Sequence, residues 1–456
     1  MTAFLFDRIR TYGDALAVAE PSGTCTYAEL NAQIDVWSRR FAAAGIPPGA
    51  VVSLEGDYGR NAISAFLALL AAEAIIVPLS RDSAPQRDTF LEIGEVEWRV
   101  VTTDGESVTR CGAGATHAHY QTLRGRNNPG LVLFSSGSTG KPKGAVHDLA
   151  LLLKKFETKR HAFRTLVFLQ LDHIGGVNTL LYTLANGGAV VVAGDRSPRG
   201  VCETIARHGA ELLPTSPTFL NLLLVSEEYR RVDLSSLKLI TYGTEPMPTH
   251  TLARANDCFP NVRFLQTYGM TELGILRSQS RDDRSLWVRV GGEGFETKVV
   301  SGRLWIRAES AMLGYLNAPS AFDDEGFFDT GDLVETDGEW VRFLGRDSDV
   351  INVGGTKVFP AEVEAVLLEM DNVEDAVVFS EPNAISGQTV VATVRFRTEE
   401  PIAQFKVRMR RFCLERLAPY KVPTRVTPAS GPLHTARFKR SRRTMTASAS
   451  PAAEAV

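Results

Sequence analysis

Short apolar segments alternate with helical segments through much of the chain, and this alternation limits the folds that it can adopt. The first round has a predicted strand at 51–54, a helix at 61–72 and a strand at 74–79. Two further rounds follow within 165–242. Because strands that alternate with helices form βαβ units, the pattern predicts mostly parallel sheets with helices on both faces. We therefore expect an α/β protein.

Local signals mark some of the element boundaries. Thr26 and Glu29 have the spacing of a capping box, which predicts the start of a helix. The segment 291–307 is typical of antiparallel strands. Further along, Asp337-Gly338 stands between two apolar pairs and predicts a hairpin turn.

The C-terminal part of the chain has the pattern of a smaller α/β unit, with a helix that begins near Pro360. We predict a large N-terminal domain over 1–346, built of βαβ layers with parallel sheets plus antiparallel strands. A small, mobile α/β C-terminal domain is expected over 347–443. The Ala/Ser/Pro-rich residues 444–456 are expected to form a disordered tail.

The composition excludes several classes of protein. The 456 residues suffice for two or more domains, and a net charge of −3 gives no argument for a nucleic-acid partner. The five cysteines form no C-x-x-C pair, which favours reduced thiols over a zinc site or disulfides. The apolar stretch 66–79 contains Glu73 and is too short to span a bilayer, and no secretory signal is apparent. We expect a cytoplasmic protein without membrane insertion.

A run of small and hydroxyl-bearing residues follows the apolar segment 131–133. Glycines let the backbone approach a phosphate closely, and consecutive amides form an anion-binding nest. The residues expected to bind phosphate are Ser135, Ser136, Gly137, Ser138, Thr139, Gly140 and Lys143. The run is not a Walker loop, because Pro142 follows Lys141 where that motif has Ser or Thr. The pattern predicts a loop that binds a polyphosphate.

This run resembles the phosphate-binding signature of the acyl-adenylate-forming enzymes, the superfamily of acyl-CoA synthetases, adenylation domains and luciferases. The segment 265–273 resembles the second signature of that superfamily. The resemblance implies that Tyr268 stacks near adenine, that Thr271 contacts the α-phosphate, and that Glu272 and Thr139 hold Mg²⁺. An aromatic face suits a purine, and a carboxylate suits a hard cation.

The same resemblance assigns further positions in the large domain. The nucleotide pocket is expected to include Gly243, Thr244, Glu245, Pro246, Gly269 and Met270. Asp332 corresponds to the aspartate that accepts hydrogen bonds from the ribose hydroxyls, and Arg346 to an arginine that also reaches the ribose. The pocket for the acyl group is expected at His173, Asn178, Gly243 and Gly269.

The C-terminal unit is expected to supply two further segments. Gly354, Gly355 and Lys357 resemble the loop that reaches the active site for thioester formation, and Lys439 corresponds to the adenylation lysine. The expected catalytic residues are Lys439, Thr271, Glu272, Lys143 and His173. Two positions depart from the family pattern: Phe438 stands where glycine is usual, and Ser348 stands where the hinge commonly has aspartate or lysine.

The resemblance implies that a small-molecule carboxylic acid reacts with ATP to give an acyl-AMP and pyrophosphate, and that the acyl group then passes to CoA. ATP, Mg²⁺ and CoA are the expected cofactors. Two alternatives stay open, namely transfer to a carrier-protein thiol and transfer to an amine, including activation of nitrite for arylamine diazotisation. A nucleotide-binding homologue without activity is the non-enzymatic alternative. A homodimer is compatible with the sequence.

Overall fold

The computed structural model describes residues 2–103, 105–136, 141–292, 294–435, 438 and 440, without the side chain of Ser136. Part of the expected nucleotide site lies outside the described residues, namely Gly137, Ser138, Thr139, Gly140 and Lys439. The expected disordered tail at 444–456 also lies outside them.

The helices of the described chain lie mainly in its first half. Their bounds are Ala3–Thr11, Tyr27–Ala44, Arg60–Ala71, Arg87–Ile93, Ala118–Arg126, Leu149–Lys154, Ile174–Ala185, Pro198–His208, Pro217–Ser226, Thr249–Cys258, Pro360–Leu368 and Ile402–Leu414. Short 3₁₀ turns lie at Arg81–Gln86, Glu228–Arg230, Asp347–Asp349 and Pro419–Lys421. The predicted capping box is confirmed: Thr26 Oγ1 accepts from the Glu29 N–H, and the Glu29 carboxylate accepts from the Thr26 N–H.

The first sheet is parallel except at one edge. Its seven strands, in spatial order, are Arg263–Gln266, Leu239–Tyr242, Leu212–Thr215, Arg164–Val167, Ala189–Val192, Leu16–Glu20 and the antiparallel Gly23–Thr26. The parallel strands of this sheet include the second and third predicted rounds of alternation. Their carboxyl ends meet at one edge, where open α/β sheets place their ligands.

The second sheet has a parallel centre and antiparallel edges. Its seven strands, in spatial order, are Gly314–Tyr315, Pro142–Asp148, Gly130–Ser136, Ile75–Leu79, Val51–Glu55, Trp98–Val101 and Ser107–Arg110. Between the sheets lies the helix Arg60–Ala71, in which every residue from 62 to 70 is buried. The apolar stretch 66–79 is therefore core helix and core strand. Among the described helices, none is both long and apolar enough to cross a membrane.

A third sheet, fully antiparallel, follows in the chain. Its six strands, in spatial order, are Ser278–Ser280, Val288–Val290, Trp340–Arg346, Phe328–Asp337, Arg303–Ala308 and Phe295–Val300. The predicted hairpin is confirmed, since Asp337 pairs with Trp340 and Gly338 has a φ of 59°. A separate two-stranded ribbon joins Gly269–Met270 to Gly274–Ile275.

The last unit is a small sheet with two helices. Its strands are Thr356–Val358, Ile351–Val353, Gly387–Phe396, Val373–Asn383 and Arg425–Pro428. Pro360 is the first residue of its helix, as predicted. The predicted α/β class, with parallel and antiparallel sheets, is confirmed. The boundary between the domains at Arg346 and Asp347 stays a prediction.

Candidate active site

The phosphate-binding run lies in a hairpin at the edge of the second sheet. The strands Gly130–Ser136 and Pro142–Asp148 pair so that Ser135 lies opposite Lys143. The Lys143 ammonium lies over the ring of Tyr315, with Nζ 5.1 Å from the ring centroid. The adjacent strand of the sheet places Tyr315 there, because Tyr315 pairs with Ala145.

Tyr315 also contacts Glu272, which brings the two expected signatures together. The Tyr315 hydroxyl donates to Glu272 Oε1 at 2.7 Å. The backbone of Glu272 is held as well, because its carbonyl accepts from the Met312 N–H at 2.8 Å. Glu272 is 8% exposed, so the carboxylate is nearly enclosed by protein. Lys143, Tyr315 and Glu272 thus form one cluster of opposite charges around an aromatic ring.

His147 supports this cluster from within the core. Its Nε2–H donates to the carbonyl of Thr271 at 2.6 Å, and the ring is completely buried. Burial lowers the pKa of His147 to about 4, so the ring is neutral at pH 7. His147 therefore positions Thr271 through the backbone without adding a charge. This role was not predictable from the sequence, because nothing in the pattern distinguishes such a histidine on a strand from an ordinary core residue.

The expected ribose site lies between the second signature and the third sheet. The Tyr268 hydroxyl donates to Asp332 Oδ2 at 2.6 Å, and Arg346 Nε lies 3.3 Å from Asp332 Oδ1. Asp332 and Arg346 are cross-strand partners in the hairpin. The ring of Tyr268 stacks on Phe343, with centroids 4.7 Å apart and planes 10° from parallel. Burial raises the pKa of Asp332, although Arg346 and the Tyr268 hydroxyl oppose this shift.

The segment 243–246 follows a strand of the first sheet. Gly243 donates its N–H to the Thr215 carbonyl at 3.3 Å. A side chain at Gly243 would bring a Cβ within 2.5 Å of the Thr267 carbonyl oxygen, so glycine is required for the close approach of these strands. Thr244 has a φ of 74°, and Glu245 Oε1 accepts from the Thr218 N–H at 3.1 Å. This turn is therefore strained and held by neighbouring backbone.

The four residues expected at the acyl pocket line a single cavity of about 930 Å³. They are His173, Asn178, Gly243 and Gly269. His173 also has a structural role, because Nδ1 accepts from the Gly175 N–H at 3.0 Å and caps the helix Ile174–Ala185. The Oδ1 atom of Asn178 is buried without a hydrogen-bond partner among the described residues. A buried hydrogen-bond acceptor without a partner favours a ligand that has a hydrogen-bond donor.

The two residues adjacent to Lys439 in the chain, Phe438 and Arg440, are both held by contacts with other parts of the protein. Phe438 packs against Phe168 and Phe219, with ring centroids 5.2 Å apart in each pair, and its carbonyl accepts from Ser216 Oγ at 2.8 Å. Phe438 has a φ of 52°, the left-handed region where the family has glycine. Arg440 forms an ion pair with Glu364 in which the side chains are 6% and 0% exposed.

The expected thiol segment lies on the small sheet. Gly354 and Gly355 form the turn between Ile351–Val353 and Thr356–Val358, with φ values of 58° and 86°. Such a turn requires residues that adopt positive φ, which by itself accounts for both glycines. Lys357 Nζ lies 4.0 Å from Asp347. These three residues do not line the acyl cavity in this arrangement of the chain, so the structure does not bring them together with the other site residues.

Comparison with known proteins agrees with this geometry. The model of the AMP-binding enzyme family matches residues 5–110 and 94–316, and that of the AMP-binding enzyme C-terminal domain matches residues 362–439. A feruloyl-CoA synthase from an Amycolatopsis species is 27% identical over 469 residues, which cover 92% of this chain and 93% of that protein.

Solved structures share the fold. An amide bond synthetase from Marinactinospora thermotolerans has a TM-score of 0.78 at 23% identity, over 98% of this chain and 99% of that one. The o-succinylbenzoate CoA synthetase of Bacillus subtilis, in complex with its acyl-adenylate intermediate, has a TM-score of 0.75 at 23% identity, over 97% of each chain. Because the family models span most of the sequence and the fold agrees, the chain belongs to the AMP-binding enzyme family.

Proposed function

We propose that the protein is an ATP-dependent acid–thiol ligase, which converts a carboxylic acid to an acyl-AMP and then to an acyl-CoA. The observation that carries this proposal is that the phosphate hairpin and the second signature meet at Tyr315, through Lys143 and Glu272. The cavity of about 930 Å³ reaches the same signature at Gly269. The proposal therefore puts the site for the phosphate chain next to the site for the organic acid.

In the first step an oxygen of the acid attacks the α-phosphorus of ATP, and the bond to the β-phosphate breaks. Negative charge grows on the phosphate oxygens in the transition state, so fixed cations and donors stabilise it. Lys143, which pairs with Ser135 in the hairpin, would contact these oxygens. Tyr268, Asp332 and Arg346 would hold the nucleoside, and His147 keeps the backbone of Thr271 in place.

The residues also fit a magnesium ion. Mg²⁺ is commonly bound by one or two carboxylates together with substrate phosphates and water. Glu272 offers one oriented carboxylate, and no group of three or more His, Cys, Asp or Glu among the described residues would hold a metal without the substrate. Glu272 would therefore hold the ion, which when bound neutralises charge on the phosphates.

In the second step the thiol sulfur attacks the acyl carbon, and AMP leaves. A cavity of about 1430 Å³ borders Phe438, and its described lining includes five arginines and five acidic residues. Four of these arginines pair with carboxylates, namely Arg60 with Glu20, Arg81 with Asp57, Arg196 with Asp82 and Arg395 with Glu374. The charges of this lining balance, so the cavity gives no argument for a phosphate-bearing ligand. A carrier protein or an amine as acceptor stays the second candidate.

The proposal is tested by pyrophosphate release. Aryl, short-chain, long-chain and amino acids, and nitrite, are each supplied with ATP, with and without CoA. We expect pyrophosphate with at least one acid, and acyl-CoA only when CoA is present. Absence of pyrophosphate with every acid would overturn the proposal, and coupling to an arylamine without formation of acyl-CoA would identify an amine as the acceptor.

The ribose assignment predicts the effect of Asp332→Ala. We expect KM for ATP to rise roughly tenfold or more, since a charge-assisted hydrogen bond to substrate is lost. The turnover number should change less, because the ribose is bound in both the ground and the transition state. Steady-state kinetics against ATP measure both values.

The control for this variant is Asp337→Ala, at the far end of the same strand, where the carboxylate pairs with Arg281 at 2.6 Å. Thermal unfolding is recorded alongside, since Tyr268 and Arg346 lose a partner in Asp332→Ala. A folded Asp332→Ala protein with the wild-type KM for ATP would show that the ribose binds elsewhere.

The thiol assignment predicts that bulk at Gly355 slows thioester formation. A Cβ at Gly355 meets no atom within 4 Å, so the cost of substitution in this arrangement is the positive φ. Gly355→Asn serves as the matched control, because asparagine tolerates the left-handed region. We expect Gly355→Trp to lower the rate of thiolysis of a supplied acyl-adenylate by about tenfold relative to Gly355→Asn, with adenylation unchanged. Equal thiolysis in the two variants would argue against the assignment.

A further inference from the structure

The acyl cavity contains a lysine without an acidic partner. Lys155 is half-buried, and its Nζ donates to the Ile275 carbonyl at 2.8 Å. An ammonium group carries three donors, and among the described residues no carboxylate lies within ion-pair distance of this one. Its neighbour Lys154 is different, since it is exposed and pairs with Glu309 at 2.8 Å. The single carbonyl partner leaves donors of the Lys155 ammonium available to a ligand in the cavity.

Other basic side chains line the same cavity. Arg160 and Arg277 have no described carboxylate as a partner, whereas Arg289 pairs with Glu339 at 3.1 Å. Glu339 is the only acidic residue among the described lining residues. The cavity wall therefore has an excess of positive charge.

The position of Lys155 relative to the expected reaction site follows from the ribbon. Ile275 pairs with Gly269, and the Ile275 carbonyl points to Lys155. Adding the spacing between strands to this hydrogen bond places the ammonium roughly 8 Å from Gly269. The wall in this region also includes apolar side chains from the first sheet, among them Leu212, Leu239 and Leu265. A ligand would thus have an acid at one end, an apolar body, and a group facing Lys155.

We propose that the enzyme activates acids that carry a second carboxylate, separated from the reacting one by an apolar body about one aromatic ring long, and that Lys155 binds this second carboxylate. The inference rests on the proposed function, because it specifies the acid within that reaction. Arg160, an exposed residue of the cavity lining, adds to the attraction. The acid reaches the site with one carboxylate paired to Lys155 and the other free to attack ATP.

The charge of Lys155 gives a second, independent signature. Burial, with a further effect of Arg160, lowers the pKa of Lys155 to about 7. Burial raises the pKa of Tyr182, which lines the same cavity, so this hydroxyl does not titrate near neutral pH. A bound carboxylate favours the ammonium form and raises this pKa. Above pH 7 binding must therefore first protonate Lys155, and the affinity for the diacid should fall by roughly tenfold per pH unit until the pKa of the bound form is reached.

The test uses matched acids and the full chain. The panel is 4-carboxycinnamic acid with its 4-methyl, 4-hydroxy and 4-amino counterparts. Pyrophosphate release gives kcat/KM for each acid, and calorimetric titration gives binding without any chemistry. For wild type we expect a diacid to exceed its methyl counterpart by roughly tenfold to a hundredfold, as expected for a charged hydrogen bond.

Variants assign the preference to Lys155. In Lys155→Met the advantage of the diacid should disappear, whereas the matched control Lys154→Met should retain it. Lys155→Arg should keep the advantage but lose the dependence on pH above 7, because arginine stays charged.

The outcomes separate this inference from the proposed function. Efficient activation of the methyl, hydroxy or amino acids over the diacid would overturn the inference and leave the ligase proposal standing. If no acid releases pyrophosphate, the ligase proposal fails, and calorimetry alone decides whether Lys155 binds a diacid. A diacid preference that survives Lys155→Met would also overturn the assignment.

Discussion

Glu272→Gln is expected to lower the rate of pyrophosphate release by about a hundredfold or more, with the fold intact. The substitution keeps the size of the side chain and one oxygen that can accept from the Tyr315 hydroxyl. In the wild-type chain this hydroxyl lies 2.7 Å from Glu272 Oε1. It removes the negative charge that would hold Mg²⁺ beside the phosphates. Since this charge acts mainly in the transition state, the loss should appear in kcat and not only in KM.

The measurement is pyrophosphate release at saturating ATP and acid, with thermal unfolding as the check on the fold. Glu309→Gln is the matched control, because Glu309 is an exposed glutamate of the large domain that pairs with Lys154. Raising the concentration of Mg²⁺ should not restore the Glu272→Gln rate fully. A folded Glu272→Gln protein with the wild-type rate would remove Glu272 from the proposed metal site.

Lys439→Ala is expected to slow adenylation by about a hundredfold while thiolysis of a supplied acyl-adenylate stays nearly normal. The two half-reactions place different demands on the chain, because only the first needs a cation at the α-phosphate. Single-turnover measurements, started either from ATP and acid or from the acyl-adenylate, separate them. An equal loss in both half-reactions would indicate a structural effect.

The structure argues against Arg440 as a replacement for Lys439 in adenylation. Arg440 is tied to Glu364 in a buried pair, and Asp375 and Glu245 also surround it, so their charges raise its pKa against the effect of burial. Arg440 is thus not available to replace Lys439. If Lys439→Ala adenylates at the wild-type rate, the lysine assignment is wrong, and Arg437→Ala becomes the next variant to measure.

Local sequence signals predicted local structure well. The capping box at Thr26 and the turn at Gly338 depend on residues next to each other in the chain, and both were confirmed. The α/β class followed from alternation, which is also a local property. The exact strand ends differ by a few residues, since pairing with neighbours decides where a strand stops.

The contacts that organise the site were not predictable in the same way. Tyr315 lies far along the chain from both Lys143 and Glu272, and it meets them only because its strand adds to the edge of the second sheet. Lys155 was not predicted either, because a lysine at the end of a helix is normally a solvated charge. Its position in the cavity, half-buried and without a carboxylate beside it among the described residues, is visible only in the folded structure. The resemblance supplied residue positions, and tertiary contacts supplied the supporting groups.

The packing of the Phe438 ring affects how long the acyl-adenylate remains shielded from water. Before Phe438 and the adjacent Lys439 can move away from the large domain, the Phe438 ring must separate from Phe168 and Phe219. This separation costs about 1–2 kcal/mol for a partly buried aromatic side chain. This cost lengthens the residence time of the closed arrangement roughly tenfold, whereas a glycine would have no ring to withdraw. A mixed anhydride hydrolyses when water reaches it. We therefore expect this chain to lose little of its acyl-adenylate to hydrolysis, at the expense of slower product release.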